Sequence, residues 1–183
     1  MPCYHPLEAV ILPGFTANGK RNIKILSGPH ASEVYPSWQR LKLPCGQCIG
    51  CRLEYSRQWA NRCMLELQYH SESWFLTLTY DDEHVPQTAY AKNDDGEAAP
   101  ALTLEPRDLE LFWKRLRKEH SDERIRYFAC GEYGSSTYRP HYHAIVFGLS
   151  LDDLRLYRRS PQGYDYFISD SLTKCWGLGF VVV

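Results

Sequence analysis

Two histidines one residue apart, at the head of an uninterrupted apolar run, constrain this chain more than any other feature: Arg139-Pro140-His141-Tyr142-His143-Ala144-Ile145-Val146-Phe147-Gly148. Pro and Gly bracket the run, which reads as a strand over His141 to Gly148. Side chains alternate along a strand, so His141 and His143 emerge on one face, and both imidazoles can reach a single ion at about 2.1 Å. Residues Ile125 to Glu132 form a second strand-like run, and the Gly, Ser and Pro of Tyr133 to Pro140 suit the loop of a hairpin between the two. A register that sets Glu132 opposite His141 adds a carboxylate to the same face. Two nitrogens and one oxygen, with further positions open, suit Mg²⁺ or Mn²⁺ shared with a phosphate. The competing account is a solvated strand face that happens to carry two polar residues.

The flanking segments supply a scaffold. Arg52 to His70 contains no Gly or Pro and brings Leu53, Ala60, Cys63, Met64 and Leu67 near one side, which predicts a long amphipathic helix. Trp74 to Tyr80 (WFLTLTY) reads as a central strand buried on both faces. Asp81 to Ala101 turns acidic and small and is expected to be a surface loop. A second helix follows over Thr103 to His120, with Pro106 at its first position and Leu109, Phe112, Trp113 and Leu116 along one stripe. Beyond the histidines, Leu151 to Tyr157 reads as a short helix, Gly163 to Phe167 as a loop, Ser169 to Trp176 as a helix and Leu178 to Val183 as a strand. Residues 1 to 44, with Pro13-Gly14, Asn18-Gly19, Gly28-Pro29 and Pro36, read as an irregular leader with one hairpin, running into a cysteine cluster that ends at residue 51.

This order predicts an α+β fold, a central antiparallel sheet flanked by helices. A chain of 183 residues at 44% hydrophobic content suffices for one sizeable core, and no repeat or linker divides it, so one domain is expected over 1–183.

Charge narrows the partners. The formal net charge is −1, from 21 Lys plus Arg against 22 Asp plus Glu, so no global positive field advertises nucleic acid and any such site must be local. Arg52, Arg57 and Arg62 recur on the first predicted helix, Lys114, Arg115, Arg117 and Lys118 cluster on the second, and Arg139 adjoins the histidines. Arg139, Arg52, Arg57, Lys114 and Arg117 are the candidate phosphate contacts, although such runs equally make solvated helix faces. Trp38, Trp113 and Trp176 are assigned to the core rather than to base stacking. No apolar run approaches the roughly 18 residues that cross a bilayer, and MPCYHPLEAV lacks the order of a signal peptide, so no membrane partner is expected and the location is cytoplasmic.

Seven cysteines is an odd number, and Cys45, Cys48 and Cys51 follow CxxCxxC spacing with glycines at 46 and 50 for tight turns. Three thiolates so spaced can wrap a structural zinc ion if a fourth ligand is found, and Cys3 and His5 are the N-terminal candidates. Cys63 lies roughly 18 Å further along the helix and is out of reach. Three reduced thiols packed without metal would account for the same spacing, and an iron-sulfur cluster is a third reading.

FLTLTY at 75–80, CGEYG at 130–134 and RPHYHAIVFG at 139–148 resemble the first two motifs of HUH rolling-circle initiators. PCGQCIGCRLEYSRQWANRC at 44–63 resembles, within that superfamily, the replication initiation proteins of the gokushoviruses, small single-stranded DNA phages of the Microviridae. The similarity runs from Cys3 to Phe180, with the acidic stretch 91–100 its least typical part.

The resemblance implies a Rep-type, ferredoxin-like palm, an ion held by Glu132, His141 and His143, and a tyrosine on a following helix near a lysine. That tyrosine nicks and rejoins single-stranded or hairpin origin DNA, with host replication proteins as further partners in the bacterial cytoplasm. None of the 13 tyrosines has a lysine three or four positions later. The catalytic tyrosine is therefore expected beyond Val183, in a protein of which this chain is a fragment, and no catalytic residue is assigned within it. Two rival readings are a non-catalytic, zinc-stabilised DNA-binding module and a metal-dependent phosphodiesterase that uses water.

Overall fold

Tight turns and short ladders order the N-terminal part of the chain where composition alone suggests irregularity. The computed structural model describes residues 3–27, 35–36, 39–92 and 98–183, with the side chains of 89–92 and 98–99 left aside. Its contacts group into two compact units, Met1–Met64 and Leu65–Val183, where the sequence suggests one domain.

In the first unit, β1 (Leu7–Phe15), β2 (Arg21–Ile25) and β3 (Arg40–Leu43) form an antiparallel sheet in the order β2-β1-β3. The predicted hairpin is the β1–β2 pair, closed by Gly19 at φ +70°, whose N–H donates to Thr16 O at 2.9 Å. The third strand corrects the irregular leader. Arg40–Leu43 alternates exposed and half-buried residues, but at four residues it is too short to stand out from the Pro- and Gly-rich sequence around it. Trp38 and the Gly28-Pro29 turn lie outside the described residues.

α1 (Ile49–Leu67) begins three residues before the predicted start and ends three before the predicted end. The amides of Gln68, Tyr69 and His70 each reach back three residues, to Leu65 O, Glu66 O and Leu67 O, so the helix tightens into a 3₁₀ turn before its sequence pattern stops.

The second unit is built on a six-stranded antiparallel sheet. Its strands are β4 (Ser73–Tyr80), β7 (Arg126–Tyr133), β8 (Pro140–Phe147), β9 (Arg155–Arg159), β10 (Asp165–Ile168) and β11 (Gly179–Val182), in the order β7-β8-β4-β11-β10-β9. β4 and β11 are the two central strands, as the sequence indicates for Trp74–Tyr80, but β4 is buried on one face only. Leu76, Leu78 and Tyr80 are sealed, while Phe75 on the other face is 56% exposed.

The sealed face packs on two helices. α2 (Pro106–Glu119) opens with Pro106 behind a Glu105 cap whose carboxylate accepts from Arg107 N at 3.1 Å. It buries Phe112, Trp113 and Leu116 of the predicted stripe, with Leu109 half-buried at the edge. α3 (Asp170–Trp176) is capped by Ser169 and stopped by Gly177 in the left-handed region, φ +67°. Arg115 of α2 donates to the last carbonyls of α3, reaching Trp176 O at 2.8 Å, so the two helices form one layer against Leu76, Leu78, Tyr142, Val146 and Val181. The fold is α+β with helices segregated to one side of the sheet.

Three predictions fail at edges. The segment 81–101 is not a loop throughout: β5 (Gln87–Lys92) pairs with β6 (Ala98–Leu102), with Gln87 opposite Leu102 and Thr88 opposite Ala101, and only the acidic tip 93–97 lies outside the described residues. The helix expected over 151–157 and the loop expected over 163–167 are instead β9 and β10. They pair Arg159 with Asp165 and Arg155 with Ile168 around a turn at Gly163, φ +89°. An edge strand of Arg-Leu-Tyr-Arg-Arg exposed at all five positions has no periodicity to read, so its ladder bonds and cross-strand pairs decide the conformation.

Candidate metal centre

The β7–β8 hairpin delivers its register as expected: Glu132 stands opposite His141, Gly131 opposite Tyr142 and Cys130 opposite His143. On the other side of β8, Thr79 stands opposite His141 and Thr77 opposite His143. Alternation turns Tyr142, Ala144 and Val146 into the core and leaves Glu132, His141, His143, Thr77 and Thr79 on the face away from α2 and α3.

Nε2 of His143 lies 3.3 Å and Nε2 of His141 3.9 Å from Glu132 Oε2, and the three candidate ligand atoms fall within 4.8 Å of one another. Each Nδ1 has a second partner. His141 Nδ1 is 3.2 Å from Arg139 O, and His143 Nδ1 is 3.1 Å from Thr77 Oγ1. A carbonyl can only accept, so His141 carries a proton on Nδ1 and turns Nε2 to the Glu132 side. Thr77 accommodates the same tautomer in His143.

Burial, reinforced by the neighbouring His141, holds the His143 pKa below the usual histidine value against the opposing pull of Glu132. The ring is therefore neutral at pH 7, the state a metal ligand needs. Phe75 stacks on it with ring centroids 5.3 Å apart. An open cavity adjoins this corner, lined by Phe75, Thr77, Tyr164, Tyr166 and Val182 among others.

Gly131, the first glycine of the CGEYG segment, lets this hairpin lie against the core. A Cβ there would stand 2.6 Å from Leu104 Cδ1 and 3.3 Å from Tyr142 Cε1. The two tyrosines nearest the histidines in sequence part company. Tyr142 is buried against Tyr80 and Trp176, whereas Tyr138 sits in the connecting loop at φ +52°, 71% exposed.

The basic candidates scatter. Arg139 spends its guanidinium on Tyr80 O, at 3.2 Å and 2.8 Å, and on Asp82, at 2.7 Å. Lys114 pairs with Glu110 at 2.8 Å and Arg117 lies over the Tyr127 ring, both on α2 and so on the helical side of the sheet. Arg57 grips Glu54 with two bonds on α1, where Arg52 is exposed. Sequence reasoning did not single out Thr77 and Phe75 as partners of His143. The signal available was the β4 pattern itself, in which Phe75, Thr77 and Thr79 alternate with the buried Leu76 and Leu78.

Cys3, Cys45, Cys48 and Cys51 also converge, with sulfurs within 4.8 Å of one another, while His5 is not part of that group. Backbone N–H groups, that of Tyr4 foremost, pull the Cys48 thiol down to about 6.

The sheet order, the helical layer on one face and the histidine–carboxylate cluster on the other define an α+β palm with a candidate divalent-metal centre. Residues 73–183 match the family of replication-associated protein ORF2/G2P, and the chain belongs to that family. It is 37% identical over 143 residues to the replication-associated protein ORF2 of Spiroplasma virus 4, covering 75% of this chain and 42% of that protein. It is 32% identical over 186 residues to the replication-associated protein VP4 of Bdellovibrio phage phiMH2K, covering 98% and 51%. With the replication-associated protein ORF4 of Chlamydia phage 1 the identity is 30% over 148 residues, covering 77% and 34%. The chain thus spans about half or less of the length of these relatives. No solved structure matches it.

Proposed function

We propose that this chain carries the metal-binding palm of an HUH-type phage replication initiator that nicks and rejoins single-stranded or hairpin origin DNA. The observation that carries this reading is the convergence of Glu132, His141 and His143, with ligand atoms within 4.8 Å, on the sheet face away from the helices. The donor set fits a hard divalent cation with open positions: two imidazoles oriented through Nδ1 and one carboxylate oxygen. Mg²⁺ or Mn²⁺ held there would supply Lewis-acid polarisation of the scissile phosphate.

The chain's own residues do the rest of the positioning. Arg139 O holds the proton on His141 Nδ1, Thr77 Oγ1 partners His143 Nδ1, and Phe75 covers one face of the His143 ring. The aromatic cavity beside them offers Phe75, Tyr164 and Tyr166 as surfaces for unpaired bases. In the reaction a tyrosine oxygen bonds to phosphorus as the bond to the 3′ oxygen breaks, leaving a 5′-phosphotyrosine and a free 3′-hydroxyl. Tyr142, between the two histidines, points into the core and is not that tyrosine, and none of the 13 tyrosines has the lysine three or four positions later. The names of the relatives, replication-associated proteins of phages, support the initiator role.

The test is calorimetric titration of Mn²⁺ into this chain and into the His141→Ala/His143→Ala variant, both first shown to be folded. Saturable one-site binding that disappears in the variant supports the reading. Equal binding by both, or none by either, removes its foundation.

A further inference from the structure

The first unit has little core of its own. Among its described residues the fully buried hydrophobics are Ala9 and Val10, while Leu7, Phe15, Ile23 and Ile25 are exposed. Units of this size usually need a covalent or metal staple in place of a large core.

A cluster of four cysteines sits where such a staple would act. The β1–β3 ladder pairs Leu7 with Leu43, so Cys3, four residues before one, and Cys45, two after the other, leave the same end of the sheet together. Gly46, at φ +75°, turns the chain back toward Cys48, and Cys51 follows in the first turn of α1. Cys45 and Cys51 have their sulfurs 3.9 Å apart, as do Cys3 and Cys48.

These separations discriminate between the fates open to four thiols. A disulfide requires about 2.05 Å between sulfurs. Four thiolates at about 2.3 Å from one tetrahedral ion stand about 3.8 Å from one another, which follows from the bond length and the tetrahedral angle. Backbone amides already aim at the sulfurs: Tyr4 N lies 3.4 Å from Cys48 Sγ, Cys45 N 3.3 Å from Cys3 Sγ, and Cys48 N 3.3 Å from Cys45 Sγ. Such donors offset the negative charge of a tetrathiolate centre. All four positions are filled by protein, so no site is left open for substrate.

We propose that Cys3, Cys45, Cys48 and Cys51 form a closed structural zinc site that clamps the N-terminus and the β3 exit onto the start of α1. This stands apart from the histidine centre in residues, metal and role.

The experiment measures metal content of the full chain purified without chelators, together with mass-spectrometric mapping of alkylated cysteines before and after chelation. One zinc ion per chain is expected, retained in the His141→Ala/His143→Ala variant and lost in Cys45→Ser/Cys48→Ser. Cys3, Cys45, Cys48 and Cys51 should alkylate at least about tenfold more slowly with metal bound than without, while the exposed Cys130 reacts in both states. If the serine variant does not fold, metal content and alkylation of the unaltered chain still decide. A metal-free chain whose four cysteines react freely overturns the proposal. So do disulfides among them, iron with visible absorption, or zinc that follows the histidines.

Discussion

Thr77 Oγ1 lies 3.1 Å from His143 Nδ1, the ring nitrogen not turned toward Glu132. The contact exists because β4 and β8 are adjacent and in a register that puts Thr77 directly across from His143. A partner of this kind holds the ring in place, and losing one typically costs roughly 10–100-fold in metal affinity. Thr77→Val keeps the strand and its volume but removes the acceptor. Mn²⁺ affinity should fall in that range by calorimetry, with the thermal midpoint of the metal-free protein unchanged. Undiminished affinity would mean that Phe75 stacking alone orients the ring.

β11 approaches β4 at a position that only glycine can occupy. Gly179 has φ +150°, and a Cβ there would stand 2.1 Å from Thr79 O and 2.7 Å from Asp81 N, both backbone atoms with no freedom to yield. Gly177, two residues earlier, also has positive φ, but its nearest neighbour would be 3.6 Å away. Gly177→Ala should therefore cost about 1–2 kcal/mol, the strain of a left-handed residue, whereas Gly179→Ala should cost more, at least about 3 kcal/mol, or prevent folding. Urea titration of both variants checks the order. Equal costs would show that β11 can shift away from β4.

Cys175 offers a pH-dependent test of the α2–α3 layer. Burial, then its hydrogen bond to Glu119 at 2.9 Å, pushes the thiol up to about 12. An unfolded thiol titrates near about 8.5. Above that pH the unfolded chain releases a proton that the folded chain keeps, so the unfolded state binds fewer protons and stability falls as pH rises toward the folded value. Denaturation at pH 7 and pH 9.5 should show the unaltered chain losing more stability than Cys175→Ala over that interval. Identical losses would mean that water reaches the thiol.

What the sequence revealed depended on whether burial leaves a mark on it. The register of Glu132 against His141 was legible because a short hairpin permits few registers and alternation fixes the face. The α2 stripe was legible for the same reason, since it places apolar residues at fixed helical spacing. β9 left no such mark, being exposed at every position, and β5–β6 lies in a stretch whose acidic composition argues for a loop. The basic candidates illustrate a different limit. Charge along a sequence does not say which side of a sheet a helix covers, and Lys114 and Arg117 proved to ride on the side opposite the histidines.

Arg139 tests that last point most directly. Chosen from sequence as a phosphate contact beside the metal, it instead directs three bonds at Tyr80 O and Asp82, tying the end of β4 to the start of β8. Hydrogen bonds that involve a charged group contribute about 1.5–3 kcal/mol when partly shielded, so Arg139→Ala should lower stability by an amount near the lower end of that range. A phosphate contact would leave a different trace: losing one lowers the salt dependence of single-strand binding by about 0.7 in the slope of log K against log salt. Affinity for a fluorescent single-stranded oligonucleotide, measured over a salt series and alongside urea melts, separates the two. The geometry predicts a stability loss with the slope intact. A slope change with stability intact would assign the guanidinium to DNA and require it to leave Tyr80 and Asp82 on binding.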